Sequence, residues 1–204
     1  MDATHKTCVD GNGDECFLYT LVVRSEKTGR GAPVCWMITN SSTHHPVETW
    51  LSWLKNDMDY TPGTIMIDNS DVEIKAIEQS YGDRCRINLC HWHILRAWRK
   101  NLIFKLAPKS NNKASSEQVR EHRNMAFKLM VDIMQAPTQQ GFQAALKKFN
   151  NWAYTNRNKW DADELIDYFD NHYLPKKEKW CRAWRKVCST HDQRWDVHTY
   201  TYRM

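Results

Sequence analysis

The sequence of 204 residues predicts an α/β domain with a mixed sheet, followed by an all-helical lobe. Three observations support this fold class. Strand-like and helix-like runs alternate within 1–107, a polar segment of Lys, Asn and Ser occupies 108–116, and apolar residues recur at helical spacing within 117–204. We therefore expect an α/β core, a linker and a helical lobe with these boundaries.

The α/β core is expected to open with antiparallel strands. Residues 1–6 would supply only the end of a first strand, because almost nothing precedes Asp2. The glycines of the segment 10–14 suit a hairpin turn. Residues rich in β-branched and aromatic side chains then predict strands at 16–24 and 32–39. Three strands therefore follow one another along the chain.

Strands and helices alternate in the rest of the core. Pro46 is typical of a first helical turn, and apolar residues at helical spacing follow it. The further predicted elements are a strand at 64–67, a helix at 71–80, a strand at 85–89 and a helix from about 91 to 103. The resulting order, βββαβαβα, is that of an RNase H-like sheet.

The second half of the chain predicts helices. Mainly apolar residues repeat at helical intervals in three stripes, with Pro175 expected to end the last of them. The stripes are Val119, His122, Ala126, Leu129 and Ile133; Phe142, Ala145, Leu146, Phe149 and Trp152; and Leu165, Ile166, Phe169 and Tyr173.

Composition limits the class of protein. A mean hydropathy of −0.74 and 26% charged residues predict a chain with no membrane-spanning segment, and the polar start lacks the apolar core of a signal peptide. Seven scattered cysteines, an odd number, predict reduced thiols and an intracellular location. A net charge of +5 and a pI of 8.8 permit nucleic acid as a partner without demanding it.

Two aspartates are candidate metal ligands. Asp2 lies in the short first strand, and Asp68 ends the apolar run 64–67. Aspartates at the carboxyl ends of adjacent strands can bridge two Mg²⁺ or Mn²⁺ ions, one activating a nucleophile and the other stabilising a leaving oxygen. Each aspartate taken alone is more simply a strand-end cap or a turn residue.

A second candidate site follows the last predicted strand. Cys90 and His93 are three residues apart, close enough on a first helical turn to bind one zinc ion. Such a site needs further ligands. The candidates from sequence are His5, Cys85, His91, Cys181 and Cys188. The alternative is a small buried Cys and a hydrogen-bonded His at the start of a helix.

A basic stretch near the end of the chain could follow a phosphate backbone. Two tryptophans, Trp180 and Trp184, lie among its basic residues, which are Lys176, Lys177, Lys179, Arg182, Arg185 and Lys186. The alternative is an amphipathic helix over 176–186 that turns the tryptophans and Val187 to the core and the charges to water.

The sequence resembles the catalytic domain of Mutator-like element (MULE) transposases, in particular those of fungal mobile elements. Three segments carry the resemblance: 1–7 with Asp2, 66–77 with Asp68, and 89–98 with the Cys90-x-x-His93 block. The resemblance covers the whole chain, and the helical half corresponds to the insertion that these transposases place before their third acid.

The resemblance implies an RNase H-like fold and a DDE mechanism of DNA cleavage and strand transfer, with Asp2 and Asp68 as catalytic ligands of Mg²⁺ or Mn²⁺. It also implies DNA as the partner, a nuclear location, and neither a membrane nor a small-molecule substrate. It leaves self-association open.

The third acid of the family has no counterpart in this sequence. In the family it is a Glu in a segment of the form Thr-Asn-Asn-x-x-Glu-Ser, after a Trp-rich stretch like 180–184. Glu178 comes too early for this role, and only Asp192 and Asp196 follow it. We therefore expect a transposase fragment, cut at both ends and inactive alone. Two alternatives stay open: a domesticated module that binds DNA or a protein without catalysis, and a working nuclease that uses Asp192 or Asp196.

Overall fold

A computed structural model describes residues 1–25 and 27–185 of the chain. Two compact units are present, Met1–Trp98 and a second that begins at Arg99. The division falls inside a helix, ahead of the predicted linker at 108–116, because the first part of that helix buries Ile94 and Trp98 in the first unit. The class is mixed α/β, with the strands in the first unit.

The first unit opens with a three-stranded antiparallel sheet of β1 (Asp2–Val9), β2 (Glu15–Arg24) and β3 (Gly31–Thr39), in the order β1-β2-β3. The prediction that the first strand ends by residue 6 is wrong. Pairing with β2 continues to Val9 opposite Glu15, past an irregularity between His5 and Cys8, so β1 ends only at the hairpin turn.

The turn between β1 and β2 forms as its sequence predicts. The Asp10 carboxylate accepts backbone N–H groups of Asn12 and Asp14, both at 2.9 Å. Gly13 has a φ of 88°, a backbone conformation that residues other than glycine rarely adopt. The hydrogen bonds, led by the one from Asp14, lower the pKa of Asp10.

A second, parallel sheet pairs β4 (Thr64–Ile67) with β5 (Arg86–Leu89). The amino group of Met1 donates a hydrogen bond of 2.7 Å to the carbonyl of Met66, which brings the start of β1 beside β4. The strands thus form two sheets that meet at this bond, one antiparallel and one parallel, in place of the single mixed sheet that the sequence predicts.

Helices α1 (His45–Asn56), α2 (Asp71–Tyr81) and α3 (His91–Lys105) alternate with these strands. Helix α1 begins beside Pro46, as predicted, and its apolar stripe of Val47, Trp50, Leu51 and Leu54 is buried. Helix α2 begins after Ser70, whose hydroxyl accepts the N–H of Glu73.

The second unit continues with α4 (Ser116–Gln135), α5 (Gln139–Asn156), α6 (Ala162–His172) and the short α7 (Lys177–Trp180). The three predicted stripes fall on α4, α5 and α6. Their buried members include Ala126, Ile133, Phe142, Phe149 and Phe169. Met130 and Trp180, which are also buried, lie outside the predicted stripes.

The predicted helix over 176–186 is much shorter in the structure, where α7 ends at Trp180. The Trp180 indole donates to the carbonyl of Tyr173 at 2.8 Å, and Trp180 is fully buried. The chain then turns to meet the end of α4, where the Arg182 N–H donates to the carbonyl of Met134 at 2.9 Å. These bonds replace the helical ones. Val187 lies outside the described residues.

Within the described residues, no helix is both long enough and apolar enough to span a bilayer.

The first turn of α4 offers a test of the helical unit. Ser115 and Gln118 form a reciprocal capping box, in which the Ser115 hydroxyl accepts the Gln118 N–H and the Gln118 side chain accepts the Ser115 N–H. We expect Ser115→Ala to lower the free energy of unfolding by about 1 kcal/mol. Urea unfolding followed by circular dichroism measures this, with the exposed neighbour Ser116→Ala as the matched control. Equal effects of the two substitutions would contradict the capping role.

Candidate metal-binding site

The ends of β4 and β5 bring two predicted site residues to one edge of the sheet. Asp68 directly follows Ile67, and Cys90 directly follows Leu89. The Cys90 N–H donates to the carbonyl of Ile67 at 2.7 Å, so the parallel pairing continues past the strands. Asp68 and Cys90 therefore leave the sheet side by side, as expected for residues at the carboxyl ends of parallel strands.

Asp68 and His93 are in direct contact. Helix α3 begins at His91, immediately after Cys90, and its first turn brings His93 Nδ1 against Asp68 Oδ1. The side chains are 37% and 33% exposed, so the pair is open to solvent on one side. When His93 carries a proton on Nδ1, it donates to the carboxylate and orients it.

The other predicted catalytic residue lies on the strand next to Asp68. Asp2 follows Met1, which is bonded to the carbonyl of Met66 in β4. Asp2 is therefore one residue from the Met1 end of this hydrogen bond, and Asp68 is two residues from its Met66 end. The side chain of Asp2 lies outside the described part of the structure.

The predicted zinc ligands do not come together among the described residues. Cys90 and His93 belong to no group of three possible metal-ligating side chains whose ligand atoms all lie within 4.8 Å of one another in that part of the chain. Cys85 is buried, with its thiol 3.7 Å from the carbonyl of Arg86. Cys181 belongs to the second unit, where its thiol donates to the carbonyl of Ile133 at 3.3 Å.

The remaining zinc candidates supply no further ligand among the described residues. His91 lies at the start of α3 and is half-buried. The side chain of His5 and all of Cys188 lie outside the described residues.

The basic stretch is partly exposed. Arg182 is exposed, whereas the other described basic residues, Lys176, Lys177, Lys179 and Arg185, are half-buried. The Lys177 ammonium lies 5.9 Å from the centre of the half-buried Trp184 ring, within the range of a cation–π contact. Lys186 lies outside the described residues.

Sequence reasoning missed one buried acid of the first unit. Glu73, on the first turn of α2, is buried, although its position three residues after Ser70 predicts an exposed capping residue. Burial, together with the negative charge of Glu73, raises the pKa of Tyr19 on β2. This environment depends on the folded structure, in which α2 packs against α1 and Glu73 acts on Tyr19 of β2.

Sequence reasoning also missed a cluster at the start of α1. The ligand atoms of His44, His45 and Glu48 lie within 4.8 Å of one another. Burial, and to a smaller extent Lys75 and His45, lower the pKa of His44. The order His-His-Pro-x-Glu at a helix start is a weak signal in the sequence, because the positions of the rings depend on local geometry.

Comparison of the chain with protein-family models, with curated proteins and with solved structures gives no match.

The burial of Cys85 can be tested by its reactivity. Burial raises the pKa of Cys85 to about 11, so its reactive thiolate is scarce at pH 8. We expect iodoacetamide to modify Cys85 at least ~10-fold more slowly than the exposed Cys8 in the native protein. Mass spectrometry of peptides over time measures both rates. In urea the two rates should converge, and equal rates in the native protein would contradict the buried position.

Proposed function

We propose that the chain is a fragment of a MULE-type DDE transposase. Its RNase H-like core binds Mg²⁺ or Mn²⁺ and acts on DNA. The observation that carries the proposal is the position of Asp68, which directly follows β4 of the parallel β4–β5 pair and contacts His93 of α3. In the intact family this type of core cleaves DNA and transfers strands, which implies a nuclear location.

The Asp68 carboxylate suits a hard divalent cation. Its oxygens are the ligand type that Mg²⁺ and Mn²⁺ prefer, and 37% of the side chain is exposed, so an ion and a DNA phosphate can reach it. The bond between Met1 and Met66 supports a second carboxylate, that of Asp2, on the neighbouring strand. A bound metal pair supplies activation of a nucleophilic water or 3′-hydroxyl and stabilisation of the leaving oxygen.

His93 positions Asp68 in this proposal. An imidazole N–H bonded to one carboxylate oxygen fixes the carboxylate plane and leaves the other oxygen for a cation. The proposed role of the Cys90-x-x-His93 block is thus to orient the Asp68 carboxylate through His93. This role requires no zinc ion, in keeping with the absence of a third ligand among the described residues.

Turnover by this chain alone is expected to be undetectable. Two-metal chemistry depends on all the carboxylates that hold and charge-balance the ions, and the matching third Glu is not in the sequence. Asp192 and Asp196 lie outside the described residues. Metal-dependent nicking of DNA by the purified chain, lost in Asp68→Asn, would overturn the expectation of an inactive fragment.

Metal binding tests the site itself. We expect Mn²⁺ to bind the purified chain and Asp68→Asn to weaken that binding by at least ~10-fold, because the substitution removes a charged oxygen ligand. Isothermal calorimetry measures the affinity. Asp83→Asn, an exposed aspartate of the same unit, is the matched control and should leave the affinity unchanged.

Two results would count against the metal site. Identical Mn²⁺ binding by the chain and by Asp68→Asn would remove Asp68 from the site. No measurable binding by either protein would mean that the carboxylates do not form a metal site in this chain. The proposed metal-dependent function would then be absent.

A second candidate function is a non-catalytic DNA-binding or partner-binding module in the helical unit. The observation that favours it is the exposed Arg182, two residues from the half-buried Trp184 and its neighbour Lys177. When a cation lies beside an aromatic ring, the cation can bind a phosphate and the ring can stack on a base.

DNA binding separates the two functions. If the helical unit binds DNA, we expect Arg182→Glu to weaken duplex binding by about 3- to 10-fold at low salt and to reduce the slope of log affinity against log salt. Fluorescence anisotropy at several salt concentrations measures both. Lys148→Glu, an exposed charge on α5, is the control. Binding that is unaffected by Arg182→Glu but lost in Asp68→Asn would contradict the helical-unit module.

A further inference from the structure

Three metal-ligating side chains meet at the start of α1, away in sequence from Asp2, Asp68 and Cys90. Glu48 Oε2 lies 3.5 Å from His45 Nδ1 and 4.0 Å from His44 Nε2. The two imidazole rings are neighbours, with their centres 4.1 Å apart. All three ligand atoms are within 4.8 Å of one another.

One of these ligand atoms is buried without a partner. His44 Nε2 is inaccessible to water and has no hydrogen-bond partner among the described residues, while the side chain as a whole is 14% exposed. A buried ring nitrogen without a partner is costly in a folded protein. The neighbouring His45 is 73% exposed, so the cluster opens to solvent on its side. An ion can therefore enter from solvent and satisfy the buried nitrogen.

The backbone holds the three residues in place. Pro46 occupies the first turn of α1 and fixes the chain between His45 and Val47, which is fully buried. Glu48 follows in the same turn, at the i+3 and i+4 positions from the two histidines. The ligands are thus arranged by local structure before any ion binds.

The ligand set selects the ion. Two imidazole nitrogens and one carboxylate form a ligand set found in zinc sites that keep a fourth position open, whereas Mg²⁺ and Ca²⁺ prefer oxygen ligands alone. Ligand atoms of a tetrahedral zinc ion lie about 3.4 Å apart. The distances of 3.5 and 4.0 Å to Glu48 Oε2 approach this value, so small side-chain rotations close the site. We propose that His44, His45 and Glu48 form a binding site for Zn²⁺, which Co²⁺ can replace, whereas Mn²⁺ prefers sites made of oxygen ligands.

Two features oppose tight binding. The amino end of α1 carries a partial positive charge, and the Lys75 ammonium is close enough to act on His44. Both repel a cation. The negative charge of Glu48 offsets part of this repulsion.

The alternative is that Glu48 only forms ion pairs with the two histidines at the start of α1. Such pairs contribute little to stability and need no metal. The two descriptions differ in one observable, the number of zinc ions that the protein binds.

Zinc titration by calorimetry tests the proposal on the whole chain, with wild type, His45→Ala and Glu48→Gln compared. We expect both variants to lose one equivalent of bound Zn²⁺, or to bind that equivalent at least ~10-fold more weakly. Both side chains lie at the surface, and Glu48→Gln keeps the shape of the residue, so circular dichroism should show an unchanged fold. His172→Ala, an exposed histidine of the other unit, should bind as the wild type does.

Cobalt provides a second measurement. Co²⁺ bound by two imidazoles and a carboxylate absorbs visible light, and the absorption should disappear in Glu48→Gln. Unchanged Zn²⁺ stoichiometry and affinity in both variants, or no binding by the wild type, would overturn the proposal. Asp68→Asn should leave this zinc ion in place, and Glu48→Gln should leave Mn²⁺ binding unchanged, so the two sites succeed or fail separately.

Discussion

The parallel pairing of β4 with β5 is the constraint on which the candidate site depends. Its continuation through the bond from Cys90 to the carbonyl of Ile67 makes both strands end at one level. Helix α3 starts at once, and its first turn then carries His93 back to Asp68. A register shift of one residue would turn Asp68 to the opposite face of the sheet and separate the pair.

Elements with their own periodicity could be predicted from sequence. The stripe of α1 shows which residues are buried, because it matches the repeat of a helix. The apolar run of β4 predicts the strand, but not that Met66 within it is exposed. Sequence patterns also allow the nearness of Asp68 and His93 to be predicted. Two parallel strands place the residues that follow them at one edge of the sheet, and His93 lies on the first turn after β5. The mixed α/β class follows from these local signals, whereas the RNase H-like arrangement is a proposal.

Features that depend on partners distant in the sequence were beyond such reasoning. Strand β1 extends to Val9 because its pairing with β2 resumes at Cys8 and Val9 after an irregularity, and this depends on the register of the hairpin. The helix expected over 176–186 ends at Trp180 because carbonyls of α4 compete for its backbone and for the Cys181 thiol. The burial of Glu73 and the contact of Glu48 with two histidines likewise arise from packing and ring orientation.

The bonds from Cys181 and Arg182 to the end of α4 also affect how the helical unit is made. Cys181 and Ile133 are separated by 48 positions along the chain. Contacts of this separation raise the contact order and slow folding, because a long loop must close before they form. Helices α4, α5 and α6 can form as the ribosome releases them, but the carbonyls at the end of α4 find these partners only after residue 182 emerges. The helical unit therefore completes its folding only after these residues have been synthesised.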